Sequence, residues 1–70
     1  MDAERVSLLT RRESEILSLI ALGKSSKEIA TQLDISLHTV NNHRKHMCKK
    51  LGCENASQLI VYATTHCSAP

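Results

Sequence analysis

Apolar residues along this chain recur at the three-and-four spacing of a helix, and no stretch alternates as a half-buried strand would. Ile16, Leu17, Leu19, Ile20 and Ala21 form one such set, and Ile29, Ala30 and Leu33 a second. Leu37, Val40, Met47 and Leu51 form a third, with Arg44 on its border. At about 100° per residue each set gathers on one side of its helix. A fourth set, Leu59, Ile60, Tyr62 and Ala63 with Ala56, predicts another inward arc.

Helix punctuation falls between these sets. Thr10-Arg11-Arg12-Glu13 and Ser25-Ser26-Lys27-Glu28 each have the form of a capping box, a hydroxyl residue followed three positions later by glutamate. Ser36 is the next N-cap, and Asn55-Ala56-Ser57-Gln58 a fourth capping signature. Gly23 and Gly52 stand where a helix end needs a left-handed residue. The pattern predicts an all-α, four-helix bundle with helices at about 11–22, 26–33, 37–51 and 56–65. Residues 1–9 read as an N-terminal extension, 10–65 as the domain and 66–70 as a frayed tail.

The second and third helices are separated by little more than Asp34 and Ile35, so a short helix, a tight turn and a longer helix follow in the order of a helix-turn-helix. Ile29, Leu33, Ile35 and Val40 are its expected internal contacts, and Ala30 lets the helices approach. Asp34 occupies the turn where many such motifs have glycine, and aspartate tolerates unusual backbone angles.

Charge changes the picture once it is divided along the chain. Residues 1–34 hold five bases and six acids, residues 35–53 four bases and no acid, and the remainder one acid, so the net charge of +2 lies in the third helix. His38, Asn41, Asn42, Lys45, Cys48 and Lys49 fall opposite its apolar stripe. Amides and ammonium groups are what contact base edges and phosphates, and no carboxylate in that helix would repel a polyanion. A solvated basic face would read the same way in isolation; its place in a helix-turn-helix favours duplex DNA.

A chain of 70 residues holds one modest core and no substrate cleft. With 41% hydrophobic and 23% charged residues it is expected to fold. It has two glycines, no Gly-x-Ser-x-Gly and no phosphate-cradling loop, so catalysis is not expected, nor a cofactor or small-molecule ligand. His43, His46, Cys48 and Cys53 lack a C-x-x-C pair, and His43 and Cys48 project on different sides of the helix, so no metal site is expected. Tyr62 is the single aromatic residue, too few for a platform that stacks single-stranded bases. The N-terminus has no apolar core of a signal peptide, and no apolar run approaches the roughly 20 residues of a membrane span. Cys48, Cys53 and Cys67 are odd in number and not spaced as a disulfide framework, which predicts thiols in a reducing, cytoplasmic compartment.

From Leu9 to Ala63 the chain closely resembles the LuxR/GerE-type DNA-binding domain of bacterial transcription regulators. The resemblance rests on Leu9-Thr10-Arg11-Arg12-Glu13, on Ala21 to Ala30, on Leu33-Asp34-Ile35-Ser36, and on Thr39-Val40, His43 and Lys50-Leu51, in that order. It implies a four-helix fold and reading of repeated half-sites as a dimer through the fourth helix. It also implies a bacterial, nucleoid-associated location, and RNA polymerase is a further candidate partner. Base contacts are implied at Asn41, Asn42 and Lys45, with His38, Thr39, His43, Lys49 and Lys27 completing the expected DNA contacts. Val61, Ser57, Thr64 and Thr65 are the expected dimer surface. Such domains are usually the C-terminal effector of a longer response regulator; with Met1 just ahead of the first helix, a cut-out domain or a stand-alone regulator is expected. The alternatives are a helical protein-interaction module and region 4 of a sigma factor, the latter disfavoured by the extra capped helix from Asn55 onward.

Overall fold

The computed structural model describes residues 8–66, the side chain of His66 excepted, and they form four helices and no strand. We number them α1 (Arg11–Ala21), α2 (Ser26–Leu33), α3 (Leu37–Leu51) and α4 (Ala56–His66). The expected extension over residues 1–7, the tail beyond 66 and Cys67 lie outside the described residues.

Each start has a side chain that meets an otherwise unpartnered amide. The Glu13 amide donates to Thr10 Oγ1 at 3.2 Å and the Thr10 amide to Glu13 Oε1 at 2.9 Å, and Ser25 and Glu28 repeat both bonds at 3.1 and 2.9 Å. The Ser25 amide and hydroxyl hold the Glu28 carboxyl below its ordinary pKa. Ser36 Oγ accepts from the Thr39 amide at 3.0 Å. At α4 the box is displaced. Asn55 Oδ1 accepts from the Gln58 amide at 2.9 Å, but Gln58 Oε1 reaches back one residue further, to the Glu54 amide at 2.7 Å.

The first three helices all end in the same way. Just past each helix an amide returns to a carbonyl five residues back: Lys24 to Leu19 at 3.1 Å, Ile35 to Ala30 at 3.0 Å and Cys53 to Cys48 at 2.8 Å. The residue before each donor is left-handed, with φ of 87° at Gly23, 56° at Asp34 and 74° at Gly52. At Gly52 the missing Cβ makes that conformation free of steric penalty, whereas Asp34 bears it. Asp34→Gly is therefore expected to raise stability by about 0.5–1 kcal/mol, read as a melting temperature a few degrees higher. An unchanged or lower melting temperature would show that the Asp34 side chain offsets its backbone strain.

The core is Ile16, Leu17, Leu19 and Ile20 of α1, Ile29 and Ala30 of α2, Val40, Met47 and Leu51 of α3, and Leu59, Tyr62 and Ala63 of α4. Leu9, Ala21, Leu33 and Ile35 close its edges. Helix α2 packs on α3, and α1 packs on α4 and on α3, so α3 lies with one side sealed and the other open.

Several expectations need correcting. Leu37 is 46% exposed, not inward, because it is the first residue of α3 and lies at the helix end, a full turn outside the part of the core reached by Val40. Ile60 is 45% exposed and Ala56 is exposed, since α4 turns Leu59, Tyr62 and Ala63 inward and its first turn overhangs the core. Helix α1 agrees with its expected span to within a residue, ending at Ala21 with Leu22 as its exposed cap. Cys48 keeps its outward phase and borders the groove beside α3, but it is half-buried against the edge of the core and not exposed.

Candidate nucleic-acid interface

The open side of α3 is built by subtraction. Val40, Met47 and Leu51 are committed to the core, and His38, Asn41, Asn42, Lys45 and Lys49 remain outward at the helical period, all exposed, with His46 exposed beside them. These residues, His46 included, border one open groove of about 710 Å³, whose far wall is the segment from Cys53 to Ala56 that leads into α4. Glu54 stands on that wall, so the groove is basic along α3 and carries one acid at its α4 end.

The other expected contacts are placed differently. Thr39 is half-buried and its hydroxyl pairs with Ser36 Oγ at 2.8 Å at the start of α3. His43 is half-buried between the inward and outward faces and does not line the groove. Lys27 lies on α2, in a separate shallow recess with Lys24, Glu28, Thr31 and Gln32. Val61 is 62% exposed on α4, with Ser57, Thr64 and Thr65 also exposed. Ile60 adds a second apolar side chain to that helix's free surface.

The Lys50 ammonium donates to Glu13 Oε1 at 2.7 Å, with Glu13 3% exposed and Lys50 34% exposed. Burial pushes the Glu13 pKa up. The Lys50 hydrogen bond and charge, with the Thr10 amide and hydroxyl, bring it down past its ordinary value, so the carboxylate is held ionised. Lys50 thus ties the end of α3 to the start of α1, and of the four bases in residues 35–53 only Lys45 and Lys49 are fully exposed on the groove side, with Arg44 half-buried beside them. No spacing rule links positions 37 residues apart, although a glutamate on an apolar helix face and a lysine beside a core leucine were the signals available.

Among the described residues no three His, Cys, Asp or Glu side chains come together as metal ligands, and no helix is long and apolar enough to cross a membrane.

The arrangement has counterparts among known proteins. The GerE family, described as bacterial regulatory proteins, luxR family, matches residues 7–63. The transcriptional regulatory protein MctR of Rhizobium johnstonii is 50% identical over 58 residues, 83% of this chain and 27% of that protein. The uncharacterized response regulatory protein YgeK of Escherichia coli is 48% identical over 70 residues, 90% of this chain and 48% of the relative. The oxygen regulatory protein NreC of Staphylococcus aureus is 46% identical over 56 residues, 80% of this chain and 26% of the relative. The chain thus spans less than half the length of each of these relatives. No solved structure matches it significantly. A four-helix chain with a helix-turn-helix at α2–α3, matched over residues 7–63, belongs to the luxR family of bacterial regulatory proteins and is a DNA-binding domain of a transcription regulator.

Proposed function

We propose that the domain places α3 in the major groove of duplex DNA and reads sequence there through Asn41, Asn42 and Lys45. The observation that carries this is the open face of α3, where exposed amides and ammonium groups share one groove and no residue of the helix is acidic. Lys49 and His38 then lie toward the backbone of the duplex, Lys27 reaches it from α2, and Thr39 and His43 flank the helix as it enters. The folding unit is residues 10–65. The activity is binding without catalysis, in the cytoplasm beside the nucleoid, with RNA polymerase as a further partner at promoters.

Backbone contacts of this number set the salt response. With three or four ammonium and guanidinium groups engaged, affinity should fall about a hundredfold between 50 and 200 mM salt, since each neutralised phosphate contributes a slope of about −0.9. Lys49→Ala and Lys27→Ala should weaken selected and scrambled duplexes alike and flatten that slope. Fluorescence anisotropy over a salt series measures both. Binding that does not change with salt removes the DNA reading.

Occupancy of repeated half-sites is assigned to α4. Val61 with Ser57, Thr64 and Thr65 forms the surface that meets its two-fold mate, which fits an exposed apolar residue ringed by small polar ones. Val61→Asp is expected to reduce cooperative binding to a two-half-site duplex and to leave the helical circular dichroism and single-site affinity intact. Equal cooperativity in the variant places the interface elsewhere.

A further inference from the structure

The shared ending of α1, α2 and α3 brings a particular pair of residues together at each helix. A bond from the amide after the left-handed residue to a carbonyl in the last turn brings the backbones at those two positions close together. At α2 the pair is Ala30 and Ile35, both packed on the core. At α3 the pair is Cys48 and Cys53.

The 2.8 Å bond from the Cys53 amide to the Cys48 carbonyl, extended by standard bond lengths, holds the two Cα atoms within about 7 Å of each other. Disulfide-linked residues have Cα atoms about 4.4–6.8 Å apart. Both residues are half-buried and packed on the same core cluster. Both also border the open groove beside α3, so a small solute reaches them from solvent. Cys48 Sγ lies 3.9 Å from the Asn55 carbonyl, a weak contact that a bridge would replace.

We propose that Cys48 and Cys53 form a dithiol site that a hydroperoxide oxidises reversibly to an intramolecular disulfide. The Cys53 thiol loses its proton to solvent and its sulfur attacks the terminal peroxide oxygen. An S–O bond forms, the O–O bond breaks, and the departing oxygen takes a proton to leave as water or alcohol. The Cys48 sulfur then attacks the Cys53 sulfur; the S–S bond forms as the S–O bond breaks, and hydroxide leaves with the Cys48 proton as water. Two thiols lose two electrons and two protons, and one peroxide gains them. Burial pushes the Cys48 thiol's pKa up, more than the nearby Arg44 charge lowers it, which suits Cys48 to the second step, where the sulfur attacked is already close at hand. The bridge would close the turn between α3 and α4, directly below Lys45 and Lys49.

The test uses the full chain carrying Cys67→Ser, so that the third cysteine cannot exchange, with hydrogen peroxide as the probe. Intact-mass measurement should show the loss of two hydrogens, no uptake of iodoacetamide, and full reversal by dithiothreitol. Trypsin cuts after Lys49 and Lys50, so the peptides ending in Cys48-Lys49 and beginning at Leu51 should remain joined until reduced. Adding Cys48→Ser or Cys53→Ser should abolish the loss of two hydrogens and leave oxygen adducts or intermolecular dimers. The proposal is overturned if the Cys67→Ser chain gains oxygen or dimerises without the internal bridge. It is equally overturned if the bridge forms only in denaturant, since the folded turn would then be holding the sulfurs apart.

Discussion

Lys50→Met is expected to lower stability by about 1.5–3 kcal/mol, the range for a hydrogen bond to a charged group. For a domain of this length that is a fall in melting temperature on the order of 10 °C. Methionine keeps most of the lysine's apolar stem, so the loss isolates the ammonium. What is left behind decides the size. Glu13 is 3% exposed, and without Lys50 its carboxylate retains only the Thr10 groups at the start of α1. A fully buried pair would lose more, but Lys50 is a third exposed and water screens part of the interaction.

The pair also sets a pH dependence whose sign follows from the lowered Glu13 pKa. A group with a depressed folded pKa contributes stability fully above its unfolded value, about 4.3 for glutamate, and loses it as pH falls through the folded value. Acid should therefore destabilise the parent chain through Glu13, and Glu13→Gln should be less stable at neutral pH but lose less on acidification. Thermal melts of the parent and both variants at neutral pH and near pH 3 measure this. Equal melting temperatures for the parent and Lys50→Met would reduce Glu13 to a helix cap.

Asn41→Ala is expected to cost about 1–3 kcal/mol on the best site and much less on random duplex. Asn41 and Lys45 lie one helical turn apart on the groove side, while Val40 beside them is fully buried and fixes the rotation of α3. Asparagine offers a donor and an acceptor that match the N6 and N7 edge of adenine; lysine has donors only and matches O6 and N7 of guanine. A half-site selected from randomised duplexes should thus contain an adenine read by Asn41 or Asn42 and a guanine near Lys45. Lys45→Ala should weaken selected and scrambled DNA together, because it removes charge as well as a base contact. An Asn41→Ala variant with the parent's ratio of selected to scrambled affinity would place the reading elsewhere.

Much of this domain is local, and local features are legible in sequence. Thr10, Ser25 and Ser36 cap helices through bonds to residues three positions on, so a hydroxyl and its spacing suffice to locate each start. Gly52 and Asp34 mark ends for the same reason, and the helical period of Val40, Met47 and Leu51 is enough to set which side of α3 is free. The outward positions of Asn41, Asn42, Lys45 and Lys49 follow from that period alone.

Periodicity says which residues share a face, but not how far along the helix a partner extends to cover it. Leu37 and Ile60 have the right phase or lie near it, yet each is left exposed, because the core ends before Leu37 and α4 packs through Leu59, Tyr62 and Ala63. Cys48 has an outward phase and is half-buried because the turn into α4 folds back over it, with the Asn55 carbonyl near its sulfur. The Glu13–Lys50 pair joins positions 37 residues apart and exists only once α1 crosses the end of α3. Caps and phases are set by neighbours within a turn or two of the chain; coverage, burial and long-range ion pairs are set by which helices meet and where, and that was decided by tertiary packing.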